Sequence, residues 1–182
     1  MSDAPLHILM TDFSLDGGGQ VTYVARLAHE LTRLGHTITI ACKERSVLVE
    51  HAQAAGGRAR NRFVFKGGLR PRVWYRDLRE MCACLRDEAP DLIHANGSQD
   101  HWISAISNRL KGRPVPVLRT RHNTYRVKDS LPNRVLNRRW TDYQIAVCEQ
   151  VRARLAQQRT FDGARMCAIH NGVQAEQYAP DE

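Results

Sequence analysis

Short apolar runs recur near residues 6–11, 37–42, 61–65, 91–95, 115–120, 143–148 and 165–169, with helix-periodic segments between them. Several runs are continuously apolar rather than alternating, the pattern of strands in a sheet covered on both faces. Segment 19–34 puts Val21, Val24, Leu27, Ala28, Leu31 and Leu34 on one stripe, with Gly35 at C′ and His36 opening the next strand. Further helices are predicted near 45–55, stopping at Gly56-Gly57, and over 72–88, burying Trp74, Leu78, Met81, Cys82 and Leu85 ahead of Pro90. Another over 100–111 buries Trp102, Ile103, Ile106 and Leu110 and ends before Gly112-Arg113-Pro114, and the last, 149–159, carries Val151 and Leu155. This alternation predicts an α/β fold: a Rossmann-like, mostly parallel sheet of about seven strands, helices on both faces and right-handed crossovers. No repeat, low-complexity tract or interior boundary divides 1–182, which reads as a single domain. Ligands of such sheets bind beyond the carboxyl ends of the strands, here loops 12–19, 43–46, 66–71, 96–99, 121–130 and 170–173.

The size and composition are those of one large globular domain: 182 residues, 42% hydrophobic and 25% charged. No apolar run reaches the roughly 20 residues that span a bilayer, and Met1 to Leu6 lacks a signal-peptide pattern, so a cytoplasmic location is expected. Cys42, Cys82, Cys84, Cys148 and Cys167 form no C-x-x-C pair and read as reduced thiols of the core. The net charge of +8 admits nucleic acid, anionic lipid or phosphorylated substrates as partners.

The turn after the first strand, Asp12-Phe13-Ser14-Leu15-Asp16-Gly17-Gly18-Gly19, leaves backbone N–H groups bare where a helix begins. Orphan amides and the positive end of the helix dipole converge there, which suits a phosphate-bearing ligand. It is not a dinucleotide fingerprint: Thr22 stands where a third Gly or Ala is needed, and the second strand ends Cys42-Lys43-Glu44. No Gly-Lys-Ser/Thr follows, so it is not a Walker A loop either. After the fifth strand, Arg119 to Lys128 brings Arg119, Arg121, Arg126, Lys128 and His122 to the ligand edge. Arginine forks and lysine point charges hold phosphates or polyols, and His122 can hydrogen-bond a sugar hydroxyl or act as a base. His94 reads as a satisfied core group, whereas Asn96 and Gly97 lie past the strand end as candidate ligand contacts; Asn171-Gly172 signals a tight turn.

Arg58, Arg60, Arg62, Lys66, Arg70, Arg72, Arg76 and Arg79 surround Trp74 and Tyr75. This is either a solvated face or a surface for anionic lipid, each cation contributing about 1 kcal/mol near the headgroups. A nucleic-acid module is the first rival reading, weakened by few aromatics among the basic clusters. A nucleotide-dependent oxidoreductase domain is the second, weakened by the broken fingerprint.

Taken in order, Asp12-Phe13-Ser14-Leu15-Asp16 with Gly18-Gly19, Leu27-Ala28-x-x-Leu31-x-x-x-Gly35-His36-x-Ile38, Pro90-Asp91-Leu92-Ile93-His94-Ala95, Thr120-Arg121-His122, Ala146-Val147-Cys148-Glu149-x-Val151 and Ile169-His170-Asn171-Gly172-Val173 run almost the whole chain. The set resembles the N-terminal, acceptor-binding half of a GT-B glycosyltransferase, specifically the large retaining family four. The resemblance implies that Gly18 and Gly19 approach the diphosphate of a sugar-nucleotide donor, that His122 is the catalytic-site residue near the reacting sugar, and that Asp16 lines the acceptor side. Asn96, Arg121, Arg126 and Lys128 complete the expected acceptor contacts. It further implies transfer with retention, no metal and no cofactor, because cations and helix amides stabilise the departing diphosphate. The run from Thr120 to Arg126 is similar to members that build lipopolysaccharide cores or other cell-envelope glycans, which implies a glycan or lipid-linked acceptor at the cytoplasmic face of a membrane. Cys148 stands where relatives usually have serine, and Gln174 where aspartate commonly follows Asn-Gly-Val. The chain stops at Asp181-Glu182, about where relatives enter the linker to a C-terminal nucleotide-sugar-binding domain, which is expected to be absent from this chain.

Overall fold

The computed structural model describes residues 4–112, 114–123 and 125–172; Arg113, Thr124, Val173, Gln174 and Asp181-Glu182, which figure in the sequence reading, lie outside them. Along the chain come β1 (His7–Thr11), α1 (Gly19–Arg33), β2 (Thr37–Lys43), α2 (Leu48–Ala54), β3 (Arg58–Phe63), α3 (Pro71–Glu88), β4 (Leu92–Ala95), α4 (Ser98–Leu110), β5 (Val117–Arg121), α5 (Leu131–Arg139), β6 (Tyr143–Ala146), α6 (Glu149–Ala156), a short 3-10 turn (Gly163–Arg165) and β7 (Met166–Ala168). The strands form one seven-stranded sheet in the order β3-β2-β1-β4-β5-β6-β7, every pairing parallel. The chain winds outward from β1 to β3, returns to β4 on the other side of β1, and winds outward again to β7. The order therefore reverses between β1 and β4, and a crevice opens beyond their carboxyl ends.

Alternation along the strands divides the apolar residues between two faces. Ile8, Met10, Ile38 and Ile40 meet Val21, Val24 and Ala28 of α1 and Leu48 and Ala52 of α2. Leu9, Ala41, Ile93 and Val117 meet Met81, Cys84 and Leu85 of α3 and Ile103 of α4. A smaller cluster joins Ala146 and Met166 to Val151, Leu155 and Phe161 beside α6.

The differences from expectation have local causes. The third strand lies at Arg58–Phe63 rather than 61–65. It is an edge strand whose arginines reach α3, Arg58 to Glu88 at 3.5 Å and Arg60 to Asp87 at 3.0 Å. Its end is held by Asp77 of α3, which accepts from the amides of Val64 (2.9 Å) and Phe65 (2.8 Å). Helix α4 turns a polar side inward, burying Asp100, His101, Ser104, Ser107 and Asn108, while the expected Trp102 and Ile106 are half-buried and Leu110 is exposed. In α1 and α3 the stripes shift at their edges: Leu34 is exposed, and Cys84 is buried where Cys82 was expected. All five cysteines are free, Cys42 and Cys84 buried with thiols pushed up to about 12 by burial, the other three half-buried. Among the described residues no helix is long and apolar enough to cross a membrane.

Candidate functional site

The first wall of the crevice is the β1–α1 loop. Asp12, fully buried, accepts from the Ser14 amide (2.7 Å) and from Gln20 Nε2 (2.6 Å), so one carboxylate fastens both ends of the loop. The Val47 amide donates to the Leu15 carbonyl at 3.1 Å, and Lys43 Nζ lies 5.6 Å from the Phe13 ring centre. Gly18 caps α1 with φ +146°, a conformation that excludes side chains from its position. No side chain caps this helix, and the amides of Gly19, Gln20 and Val21 donate to no group among the described residues. Gly17, Gly18 and Gly19 have no atom within 4 Å of an added Cβ, so the turn borders open space on that side. Asp16 is exposed in the same loop.

The second wall is the β4–α4 turn. Asp100 Oδ2 accepts from Thr11 Oγ1 (2.8 Å), the Gly97 amide (2.9 Å) and the Asn96 amide (3.3 Å), tying the ends of β1 and β4 together. Gly97 is buried and serves the fold rather than open space: an added Cβ would lie 2.0 Å from Cδ1 of Phe13. Asn96 is also buried, and its Nδ2 donates to the carbonyls of Thr11 (3.3 Å) and His94 (3.2 Å). Those two acceptors fix the amide so that Oδ1 faces His122 Nε2 at 3.4 Å. In that arrangement Nε2 carries the proton and His122 Nδ1 is left as an acceptor.

His122 follows β5 and stands edge-on to Tyr23 of α1, ring centres 4.8 Å apart. Tyr23 lies one helical turn beyond Gly19, so the glycine turn and the imidazole share one rim. Beneath them the Thr120 hydroxyl joins Tyr23 Oη (3.2 Å) to His94 Nε2 (2.7 Å), and His94 is the satisfied core group expected. Burial and the neighbouring Arg119 charge push His94 down to about 4, and His122, with His94 adding to the effect, down to about 3. Both rings are neutral near pH 7, and His122 is suited to accepting a hydrogen bond rather than to carrying charge or taking a full proton.

Arg119 is buried within reach of the charges of Asp100 and Asp12. Its Nε and Nη1, like Asp100 Oδ1, have no hydrogen-bond partner among the described residues. Burial pulls Arg119 down to about 10 and pushes Asp100 up to about 6.

Arg121 is turned away from the rim. Its Nη2 donates to Asn137 Oδ1 of α5, its Nε to Gln144 Oε1 at 3.2 Å, and its guanidinium lies over the Phe161 ring. The expected acceptor contact at Arg121 is thus a strut between β5, β6 and α5. Arg126 and Lys128 are exposed on the β5–α5 loop. Asp12 and Thr120 stood in the quoted motifs without a role of their own, and Tyr23 was not noted from sequence, although it carried a usable signal, a polar ring beside the apolar stripe of the helix that follows the glycines.

The second basic group divides. Arg58 and Arg60 are paired with α3, and Arg76 donates to the Arg62 carbonyl. Lys66, Arg70, Arg72 and Arg79 are exposed near Leu69 (87% exposed) and Tyr75 (70% exposed). Trp74 is half-buried, donating Nε1 to the Gly68 carbonyl at 3.1 Å. Among the described residues no three His, Cys, Asp or Glu side chains gather as a metal-ligand set.

A parallel, doubly wound sheet with a glycine-opened helix at its switch point defines a Rossmann-like α/β domain. The profile of Glycosyltransferase Family 4 matches residues 17–177, and the chain belongs to that family. A glycosyltransferase from Rickettsia africae superposes with a TM-score of 0.81 at 19% identity, over 96% of this chain and 45% of that one. Anabaena Alr3699/HepE in complex with UDP-glucose gives 0.75 at 16% identity, over 95% and 46%. The lipopolysaccharide outer core galactosyltransferase WaaB gives 0.65 at 10% identity, over 92% and 46%. The chain spans less than half the length of these structures. A search of curated proteins finds no match.

Proposed function

We propose that this chain is the acceptor-side, N-terminal half of a retaining, metal-independent glycosyltransferase, and that a second α/β domain supplies the nucleotide pocket. The observation that carries this reading is the shared rim, where His122 touches Tyr23 one turn from the bare amides of Gly19 to Val21. The donor's diphosphate lies against those amides and the positive end of α1, which oppose the charge that develops as the leaving group departs. His122 Nδ1 accepts from a sugar hydroxyl and sets the sugar's orientation, held in its tautomer by Asn96. Asp16, Arg126 and Lys128 face the acceptor.

The acceptor is a cell-envelope glycan or glycolipid of the lipopolysaccharide type, and the chain works peripherally on the cytoplasmic face of the membrane. Likeness to WaaB supports the acceptor class, and likeness to an enzyme crystallised with UDP-glucose supports the donor class. Exposed Leu69 and Tyr75 among Lys66, Arg70, Arg72 and Arg79 support docking to anionic lipid.

The test uses the enzyme that joins this chain to a nucleotide-binding domain. His122→Ala lowers kcat by about tenfold to a hundredfold, the cost of one or two buried hydrogen bonds, with the urea midpoint nearly unchanged. Unchanged turnover in the folded variant removes His122 from the site. Purified 1–182 alone turns over essentially nothing; enzyme-like transfer by it would refute the two-domain reading.

A further inference from the structure

Away from the crevice, a cavity of about 460 Å³ opens between the β5–α5 loop and the end of α6, lined by Arg126, Val127, Asp129, Arg154, Gln157, Gln158 and Arg159. Its floor is clamped. The Val127 amide donates to Gln158 Oε1 at 3.1 Å, Gln158 Nε2 to the Arg154 carbonyl at 3.3 Å, and Thr160 Oγ1 to Asp129 at 3.4 Å. Val127 also packs on the apolar cluster of Val151, Leu155 and Phe161.

The lining carries an excess of positive charge, three arginines against one carboxylate. Arg152, Arg134 and Arg165 each pair with a carboxylate, at 2.5, 2.6 and 3.3 Å. The guanidinium groups of Arg126, Arg154 and Arg159 have no hydrogen bond or ion pair among the described residues. The one carboxylate of the lining, Asp129, is taken by Nε and Nη2 of Arg134 at 2.6 and 2.8 Å. Three forks free of hydrogen bonds, of which Arg159 is near enough to Asp129 for its charge to be felt there, surround a concavity with a fixed floor and match the multiple acceptor oxygens of a phosphoryl group.

We infer that this cavity is a subsite for a phosphoryl group carried by the sugar acceptor, an assignment that rests on the acceptor-side reading above. Three residues separate His122 from Arg126, so their Cα atoms are at most about 14 Å apart. An acceptor whose nucleophilic hydroxyl sits at His122 therefore reaches the cavity with a phosphoryl group one or two sugar units away. The subsite selects phosphorylated over plain glycans.

The test titrates the 182-residue chain with inorganic pyrophosphate at low ionic strength, following backbone amides by NMR. Saturable shifts are expected at 126–129 and 154–159, separate from any at 17–20, and Arg154→Gln with Arg159→Gln weakens them at least tenfold while circular dichroism is unchanged. No saturation at the cavity, or equal affinity in that variant, overturns the assignment. A second arm measures co-sedimentation with phosphatidylglycerol vesicles. Loss of vesicle binding in the variant, without pyrophosphate binding in the parent chain, makes the cavity a headgroup site and overturns the acceptor assignment. In the two-domain enzyme the same variant raises KM for a phosphorylated acceptor and leaves KM for its dephosphorylated form unchanged. A working transferase in which both are unmoved sinks the subsite alone, whereas pyrophosphate binding in a chain whose enzyme transfers no sugar sinks only the wider reading.

Discussion

Gly18 and Gly19 are neighbours that should answer the same substitution with opposite signs. Gly18 holds φ +146° and ψ 169°. Placing alanine there costs about 1–3 kcal/mol of backbone strain. About 0.4–1 kcal/mol returns from the less flexible unfolded chain, leaving a net loss near 1–2 kcal/mol. Gly19 is the first residue of α1, has no positive φ, and has no atom within 4 Å of an added Cβ. Alanine there gains about 0.4–1 kcal/mol by the same unfolded-state argument. Urea denaturation followed by far-ultraviolet circular dichroism reads both as midpoint shifts at constant slope. A neutral Gly18→Ala, or a Gly19→Ala that unfolds more readily, would refute the geometry on which the site rests. The functional half is read in the two-domain enzyme. A methyl group at Gly19 would project into the open space beside the turn, where the proposed diphosphate has to approach the backbone. Gly19→Ala therefore weakens donor binding while stabilising the chain, a combination that no purely structural glycine produces.

Thr120→Val keeps the shape of a fully buried side chain but strands His94 Nε2 without its 2.7 Å partner. A loss of about 1–3 kcal/mol in urea unfolding is expected, and a neutral result would mean the hydroxyl bridge is not formed. Acid sensitivity follows from the imidazoles. His94 at about 4 and His122 at about 3 lie below the ordinary 6.5, so below that pH the unfolded chain binds protons that the fold refuses. Stability is full above about pH 6.5 and falls toward pH 4; Asp100, raised to about 6, opposes this in part because its folded carboxyl takes a proton sooner. His94→Gln should flatten the fall of the urea midpoint between pH 7 and 5, and an identical slope would remove His94 as its source. Asp77→Ala frees two amides, those of Val64 and Phe65, and should cost about 2–4 kcal/mol; a loss under about 1 kcal/mol would show that solvent replaces the carboxylate.

The sheet was legible because several inner strands, β1 and β4 among them, bury both faces and so read as short apolar runs. Edge strand β3 broke that rule, since only part of it needs apolar residues and its arginines look like loop. Helix α5 escaped notice because it buries little beyond Leu136 and Asn137, although Ser130 at its N-cap and Pro132 in its first turn announced it. The places of the glycine turn and His122 beyond strand ends could be read because a glycine run and a polar ring after an apolar run are local features. Arg121 was misplaced for the opposite reason. Which side of a strand an arginine leaves by depends on Asn137 and Gln144, contributed by later elements. Asn96 likewise read as a free ligand contact, whereas carbonyls of two strands had already claimed its amide.

The arginines of β3 also decide what the open border of the sheet will tolerate. A strand at that border has unmet amides and carbonyls that invite an identical strand from another molecule. Here Arg58, Arg60 and Arg62 line it, two of them leashed to carboxylates of α3. A twin approaching in register would have to fit long charged side chains and their ion pairs against a matching set. Growth of the sheet by strand addition is thereby disfavoured at this border.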